Sequence, residues 1–273
     1  MATVLRRQAA ATAISAVFIF PLVFLVLGAL RTPGSPPPTG LDVLVPELTG
    51  AGFERAFALV DLGRQLVNSG IVALLAVPLS VLVASWAGFA TTRLSARGRR
   101  LVVGGSLVAL LVPLSALWVP RFVLFSTLGL VDTYVPLVAP ALMATSPLYV
   151  LLFFWSYSRL PRDLVDAARL EGMGLLTIWR RVAAPLVRPT TFAVGALAFV
   201  FHWSNFVDPL LYLNDPSLYT APLGLRQLKD LGPTDFPTLL AASLVVTLPA
   251  ALAFGAVQHR FLSDVRAAGW LGR

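Results

Sequence analysis

The sequence contains no cysteine, and only 12% of its 273 residues are charged. Without cysteine, the chain can form neither a disulfide bond nor a thiolate metal site. Soluble domains usually carry about 25% charged residues, so this shortage of charge excludes a surface that faces water on every side. The two histidines, His202 and His259, have no metal-ligand spacing such as HExxH, and we expect no metal site.

Motifs for enzymatic chemistry are also missing. The chain has no GxxxxGK[ST] loop to cradle the phosphates of ATP, so any ATP hydrolysis must belong to another chain. It has no GxSxG motif and no pair of carboxylates at one depth of an apolar segment. These absences argue against an intramembrane enzyme, and we predict no catalytic residue and no cofactor in this chain.

Apolar residues, in contrast, make up 57% of the chain and give it a mean hydropathy of +0.81. The net charge is +8. In a soluble protein this charge would suggest a nucleic-acid partner. In a membrane protein the same excess is typical of cytoplasmic loops rich in arginine. We therefore predict that the chain lies in a lipid bilayer and binds no nucleic acid.

Six segments are long and apolar enough to span a bilayer, which takes roughly 20 residues at about 1.5 Å each. We predict an all-α integral membrane protein, a bundle of about six transmembrane helices in a single domain, residues 1–273. Pro113 and Pro120 lie within the third span, where we expect kinks. The predicted spans cover about residues 11–30, 66–91, 101–125, 135–157, 189–213 and 239–261.

Basic residues predict the orientation of these spans. With the N-terminus inside, most of the 21 lysine and arginine residues lie in inner segments, as the positive-inside rule requires. An even number of spans then places both termini in the cytoplasm. The first apolar run is too long for a signal peptide and lacks a cleavage site, so we predict an uncleaved first span. Arg121 falls near the outer end of the third span, where its side chain can snorkel to the interface.

One inner segment, residues 159–187, is amphipathic and unusually long for a connection between helices. Pro161 suits the first position of a helix, and Gly172 and Gly174 end it. We predict that Leu160, Leu164 and Ala168 share one face of this helix. A second helix, ended by Pro185 and Pro189, has an apolar face of Leu175, Ile178, Trp179 and Val182. This helix–glycine turn–helix is either an element on the membrane surface or a docking surface for a cytoplasmic partner.

The same segment resembles the EAA pattern that marks permease subunits of binding-protein-dependent ABC importers. That pattern is Glu-Ala-Ala, three residues, Gly, nine residues and Ile-x-Leu-Pro. The matching positions here are Asp166, Ala167, Ala168, Gly172, Val182 and Pro185. Two positions depart from it, because Asp166 is shorter than glutamate and Ala184 replaces leucine.

The resemblance covers nearly the whole chain and is strongest to the carbohydrate branch, the maltose-transporter type of permease. Trp203-Ser204-Asn205-Phe206 resembles the Trp-Asn-Asp/Glu-Phe segment of its fifth span, although Ser204 and Asn205 depart from that pattern. Asn68-Ser69 opens the second span as in that branch. Residues 128–133 resemble its short outer turn, residues 221–225 resemble its outer Leu-Pro-Leu-Gly-Leu, and residues 267–269 resemble its Gly-Ala end.

The resemblance implies a permease subunit in a bacterial inner membrane that passes a sugar or sugar derivative inward by alternating access. It implies a second homologous permease in a heterodimer, and a dimer of ATP-binding cassette subunits that bind ATP and Mg. It also implies an extracytoplasmic solute-binding protein, which meets the outer loop of residues 214–237. Residues 159–187 are then the coupling loop, whose contacts with the ATPase are expected from Asp166, Ala167, Ala168, Glu171, Gly172, Val182 and Pro185.

Polar side chains at membrane depth are costly and usually functional, so they are candidates for the solute pathway. Hydroxyl and amide groups suit the hydroxyls of a sugar, and aromatic rings suit its apolar faces. The candidates are Asn68, Ser69, Ser115, His202, Trp203, Ser204, Asn205, Phe206 and Asp208. The alternative is that these residues only join helices to one another.

Other functions remain open alongside the sugar importer. A secondary transporter would need ionisable residues deep in its spans. The predicted spans hold only His202, Asp208 and Arg121, the last two near an end. An ABC importer permease for a solute other than a sugar fits the same coupling pattern. Only the EAA resemblance argues against a membrane scaffold.

Overall fold

The computed structural model describes residues 2–36, 48–143, 146–232 and 234–267. Within these ranges all regular structure is helical, and the predicted all-α membrane fold is confirmed. Short 3₁₀ turns lie at Leu114–Leu117, Ala139–Met143 and Pro216–Leu218, and a π-helical turn lies at Trp179–Ala183. The α-helices are α1 (Ala2–Ala29), α2 (Ala51–Leu59), α3 (Leu62–Arg93), α4 (Ala96–Leu110), α5 (Trp118–Thr127), α6 (Val135–Val138), α7 (Pro147–Ser158), α8 (Arg162–Leu170), α9 (Leu175–Ile178), α10 (Ala184–Leu186), α11 (Arg188–Trp203), α12 (Val207–Tyr212), α13 (Ala221–Leu231) and α14 (Phe236–Ala267).

Four stretches are long and apolar enough to cross a membrane by themselves. They are Arg6–Ala29, Leu62–Arg93, Val135–Ser158 and Phe236–Ala256. Two more spans follow if each of two bent helix pairs counts as one: Ala96–Leu110 with Leu114–Thr127, and Leu175–Leu186 with Arg188–Trp203. The described part of the chain thus contains four to six candidate spans.

The predicted third span is bent more sharply than the kinks that its prolines predict, because the helical stretches Ala96–Leu110 and Leu114–Thr127 meet at 93°. Pro113 lies between them in an extended conformation, with φ −68° and ψ 134°. Proline donates no N–H to a helix and disfavours helical geometry in the residue before it, which explains the sharp bend. Pro120 lies in the first turn of α5, where no helical donor is needed, so it causes no further break.

The predicted fifth span, residues 189–213, is also interrupted. α11 ends at Trp203 and α12 begins at Val207, so residues 204–206 belong to neither helix. Asn205 Oδ1 accepts the backbone N–H of Asp208 at 3.2 Å, and Asn205 Nδ2 donates to Asp208 Oδ2 at 2.8 Å. Such local side-chain bonds compete with the helical ladder, which accounts for the interruption.

The chain divides into two compact units, with boundaries within α3, before Tyr219 and within α14. The first unit comprises residues 1–67 and 219–249. It contains α13, a helix inside the segment for which the sequence predicts an outer loop rich in proline. Its core brings together residues of α2, α3, α13 and α14: Ala56, Leu62, Ala221, Leu228, Ala242 and Val246, with Val60 beside them.

Asp235 fixes the start of α14 in this first unit. Its carboxylate accepts the N–H of Gly34 at 2.9 Å and the hydroxyl of Thr238 at 2.8 Å, and it lies 3.0 Å from Arg55 Nε. Burial by itself would raise the pKa of Asp235, but these bonds and the guanidinium together lower it below its ordinary value.

The second unit comprises residues 68–218 and 250–273. One buried cluster packs α3, α7 and α11 against the helices of the 159–187 loop. Gly88 permits the close approach of α3 and α7, since an added Cβ there would lie 2.6 Å from Cβ of Phe153. The cluster consists of Ala84, Phe89, Tyr149, Val150, Phe153, Tyr157, Val165, Ala168, Ile178, Ala183, Val187, Val194 and Ala198.

Candidate functional site

The loop of residues 159–187 has the predicted helix–glycine turn–helix form, and α8 is its first helix. Pro161 precedes the helix as its cap instead of occupying the first helical position. The buried side chains of α8 are Val165 and Ala168, whereas Leu164 is 37% exposed. The predicted face was therefore off by one residue, because Leu160 lies before the helix and does not define its register.

The turn after α8 depends on a glycine. Gly172 has a φ of +77°, which L-residues rarely adopt. Its N–H donates to the carbonyl of Arg169 at 2.9 Å, and the N–H of Met173 donates to the carbonyl of Ala168 at 3.1 Å. This pair of bonds is a Schellman motif, which ends a helix and reverses the chain. An added Cβ at Gly172 would meet nothing within 4 Å, so backbone conformation and not space requires the glycine.

The second helix of the loop is less regular than predicted. Helix α9, a π-helical turn and α10 follow one another as far as Leu186. Pro185 lies inside α10 and Pro189 in the first turn of α11, so neither proline is the residue that ends the helix. Proline cannot donate to the carbonyl four residues before it, which is consistent with the widened turn ahead of Pro185. Leu175 is 51% exposed and does not belong to the buried face.

The outward face of the loop combines acidic and apolar side chains. Asp166, Ala167 and Glu171 are exposed, and Leu170 is 90% exposed. No ion pair found among the described residues includes Asp166 or Glu171. Ala168, in contrast, packs into the core of the second unit, and Val182 and Pro185 are half-buried. The residues predicted for coupling therefore divide into an outward group and an inward group.

The second unit also encloses a cavity of about 250 Å³. Apolar side chains form most of its wall, together with the aromatic rings of Tyr149 and Phe201. Helices α3, α5, α7, α11 and α12 all contribute to it. The polar or charged residues that line it are Ser80, Arg121, Ser146, Tyr149, His202 and Asp208.

An ion pair lies in the wall of this cavity. Arg121 Nη1 is 3.4 Å from Asp208 Oδ1, and Arg121 Nη2 donates to the carbonyl of Pro136 at 3.3 Å. The two side chains are 23% and 13% exposed. Arg121 therefore has a carboxylate partner within the protein, which the prediction of a snorkelling side chain did not include. The sequence contained a signal for this pairing: one predicted span holds a basic side chain, and another holds an acidic one.

The other predicted pathway residues lie in several places. His202 Nε2 is 3.4 Å from Ser80 Oγ, and Asn205 holds Asp208 through the bonds described above. Asn68 Nδ2 donates to the carbonyl of Ser217 at 2.9 Å, away from the cavity wall. The remaining candidates do not line this cavity: Ser69 and Trp203 are buried, Phe206 is half-buried, and Ser115 and Ser204 are exposed.

Sequence reasoning did not single out several residues of the cavity wall. Ser80, Ser146 and Tyr149 line it, but each lies in an apolar span without a distinctive motif. The described residues contain no group of three or more His, Asp or Glu side chains that could hold a metal ion. The arrangement therefore offers hydroxyl, imidazole, guanidinium and carboxylate groups beside two aromatic rings, which suits binding of a polar solute.

A second turn of the same unit follows α5. Asp132 has a φ of 58°, and its N–H donates to the carbonyl of Tyr212 at 2.8 Å. Its carboxylate accepts the backbone N–H of Asn214 and, at 3.0 Å, that of Asp215. These backbone donors lower the pKa of Asp132 below its ordinary value, since they stabilise the charged form. The turn thereby holds the end of α5 beside the end of α12.

Comparison with known proteins shows relatives along most of the chain. The family described as "Binding-protein-dependent transport system inner membrane component" matches residues 76–266. The sulfoquinovosyl glycerol transport system permease SmoH of Agrobacterium fabrum is 29% identical over 93% of this chain and 89% of its own. The arabinooligosaccharide permease AraQ of Bacillus subtilis is 28% identical over 95% of this chain and 92% of its own.

Two further similarities extend this picture. The trehalose/maltose permease MalG of Thermococcus litoralis is 27% identical over 76% of this chain and 75% of its own. A crystal structure of a bacterial ABC transporter that imports the acidic polysaccharide alginate contains a chain of the same fold. The TM-score is 0.73 at 16% identity, with 94% of this chain and 95% of that chain covered.

Proposed function

The chain belongs to the family of binding-protein-dependent transport system inner membrane components, and we propose that it passes a sugar or sugar derivative into the cytoplasm. One observation carries the proposal: a single buried cluster packs the 159–187 loop against α3, α7 and α11, and these three helices also line the cavity. A loop moved by a partner would therefore move the cavity wall as well.

A sugar or sugar derivative is the solute class that the relatives and the cavity lining favour. The permeases SmoH, AraQ and MalG are all named for carbohydrate cargo. The cavity offers donors and acceptors for hydroxyl groups in Ser80, His202 and the Arg121–Asp208 pair. The rings of Tyr149 and Phe201 can cover the apolar face of a sugar ring.

Alternating access is the mechanism that we propose, with its energy supplied by a partner. A dimer of ATPase subunits binds ATP and Mg, and its closure displaces the 159–187 loop. This chain itself is not catalytic. The free energy of ATP then shifts the population between inward-open and outward-open states of the spans. We assign contact with the ATPase to Asp166, Ala167 and Glu171, and their exposure supports this assignment.

The proposed assembly has two further protein components. A second homologous permease completes the translocation pathway as a heterodimer, and an extracytoplasmic solute-binding protein delivers the solute. Both termini and the 159–187 loop face the cytoplasm, since most arginines then lie inside. Contact of the C-terminal tail with the ATPase is also expected from the sequence, but residues 268–273 lie outside the described part of the chain.

Copurification and uptake test this proposal together. A tagged chain should bring down an ATPase and a second permease from detergent-solubilised membranes. Reconstituted with the solute-binding protein, the complex should show ATP-dependent uptake of at least one member of a sugar panel. Copurification without uptake of any sugar, but with uptake of an amino acid or peptide, would replace the sugar by another solute. Absence of an ATPase from the purified complex would overturn the importer proposal.

A matched pair of variants tests the cavity as the solute site. Asn205→Ala removes the amide that holds Asp208, and should change the affinity for the solute by about five- to tenfold. Ser204→Ala is the control, because Ser204 does not line the cavity and its Oγ donates to the carbonyl of Val200 in the preceding helix, α11. Equal uptake kinetics of wild type and Asn205→Ala would remove this end of the cavity from the pathway.

A further inference from the structure

Three side chains join the second helix of the 159–187 loop directly to two membrane-spanning helices. The indole N–H of Trp179 donates to Ser85 Oγ at 3.1 Å. Ser85 Oγ in turn lies 2.7 Å from the hydroxyl oxygen of Tyr157. Ser85 and Tyr157 are 4% and 2% exposed. The contacts therefore run from the loop through α3 to α7, largely out of reach of solvent.

Aromatic packing holds the members of this chain in place. The ring of Trp179 lies 6.0 Å from that of Trp86, and the ring of Tyr157 lies 5.4 Å from that of Phe89. Hydrogen bonds in such apolar surroundings are stronger than in water. A buried hydroxyl or indole N–H that lost its partner would also remain unsatisfied. Separation of the loop from α3 and α7 would therefore cost free energy, which favours movement of the three elements together.

The two helices reached by this chain of bonds also line the cavity. Ser80 lies about one and a half helical turns from Ser85 along α3, and Tyr149 lies about two turns from Tyr157 along α7. Both Ser80 and Tyr149 belong to the cavity wall. A displacement applied at Trp179 thus has a short path through side chains and helical backbone to the solute.

We propose that Ser85 is a positioning residue that couples displacement of the loop to the cavity, by bonding Trp179 and Tyr157 at once. The inference rests on the proposed function, since it assigns the route by which ATPase movement reaches the solute. The hydroxyl of Ser85 bonds Trp179 and Tyr157, and neither belongs to the exposed group Asp166, Ala167 and Glu171, so the assignment differs from ATPase docking. Loss of its hydroxyl should leave the complex assembled while ATP is hydrolysed with less solute moved.

The test is uptake per ATP hydrolysed, measured on the full complex in proteoliposomes with a transported sugar and its binding protein. Ser85→Ala removes both hydrogen bonds and should lower this ratio about three- to tenfold, with wild-type amounts of copurified ATPase. Trp179→Phe keeps a ring beside Trp86 but loses the N–H, and should lower the ratio in the same direction. The double variant should be no lower than Ser85→Ala, because both changes break one connection.

Ser156→Ala is the matched control. Ser156 neighbours Tyr157 on α7, and its hydroxyl oxygen lies 2.6 Å from that of Thr190 in α11, so its bond joins α7 to α11 and does not involve Trp179. The uptake per ATP hydrolysed of Ser156→Ala should equal that of wild type. A wild-type ratio in Ser85→Ala, or an equal loss in Ser156→Ala, would overturn the assignment. If the Ser85→Ala complex does not assemble, the uptake per ATP hydrolysed of Trp179→Phe tests the assignment instead. If the proposed function itself were wrong, the result would differ from these outcomes, because the wild-type complex would show no ATP-dependent uptake.

Discussion

The turn at Gly172 and the turn at Asp132 both have a backbone angle φ that L-residues rarely adopt, and they meet this demand differently. Gly172 has no side chain, and a Cβ added there would meet nothing within 4 Å. Asp132 keeps its side chain and uses the carboxylate to bind the N–H groups of Asn214 and Asp215. One turn is open on its outer side, and the other is closed by bonds within the chain.

The two turns also hold different helices in position. The Gly172 turn sets the angle of α8, whose exposed residues Asp166, Ala167 and Leu170 have room for another molecule. The Asp132 turn joins the end of α5 to the end of α12. Helix α5 carries Arg121 of the cavity wall, and α12 carries Asp208. We infer that the first turn serves contact with a partner and the second preserves the shape of the unit.

Changing Gly172 should have the largest effect. Gly172→Val forces a β-branched residue into φ +77°, which costs about 1–2 kcal/mol or more and would re-angle α8. We expect copurified ATPase to fall about tenfold and uptake to be lost, while the amount of the chain in the membrane stays unchanged. Gly174→Ala is the control, because the φ of Gly174 is an ordinary −69°. Normal uptake in Gly172→Val would contradict a role for this turn.

Two neighbouring alanines separate contact with a partner from stability. Ala168→Leu adds volume at a position that is 7% exposed, and overpacking of this kind costs about 1–3 kcal/mol. We expect a lower Tm of the purified chain in detergent. Ala167→Leu adds the same volume on the exposed face, so it should keep the Tm and lower only ATPase copurification. If both variants lowered the Tm equally, the division into outward and inward faces would be wrong.

The sequence was sufficient to predict the fold class and the form of the loop. Apolar runs of membrane length predict spanning helices regardless of which neighbours they meet, because lipid imposes the same demand everywhere. Glycine at position 172 predicted the turn for a similar reason, since the constraint is local to one residue. In both cases the physical cause lies within a short stretch of chain.

Features that depend on distant neighbours could not be predicted in this way. Val165 and not Leu164 is buried, and that choice depends on how α8 packs against α7 and α11. Two prolines in the third span are equivalent in the sequence, yet only Pro113 accompanies a bend. The pairing of Arg121 with Asp208 joins residues far apart in the chain, and only the assembled unit brings them together.

Substitutions of Asp132 should have smaller effects, graded by what each one preserves. Asp132→Asn keeps one oxygen acceptor and tolerates φ 58°, so it should lower the Tm least. Asp132→Gly tolerates the angle but loses both acceptor bonds. Asp132→Ala loses the bonds and is strained as well, and should lower the Tm most, on the order of 2–4 °C. Copurified ATPase should be unchanged in all three, since this turn does not position α8. A larger loss in Asp132→Asn than in Asp132→Ala would contradict the graded order.

The smallest expected effect is a pH dependence at Asp132. Backbone N–H bonds lower the pKa of its carboxyl in the folded protein below the ordinary value of 3.8. The carboxylate therefore adds stability that is fully present above the unfolded-state pKa and is lost as the pH falls through the folded-state pKa. The Tm difference between wild type and Asp132→Asn should be constant at neutral pH and shrink below about pH 4. Asp235 titrates in both proteins, so its own lowered pKa cancels in this difference. A Tm difference that stayed constant down to pH 2, or widened on acidification, would show that the charge of Asp132 does not close this turn.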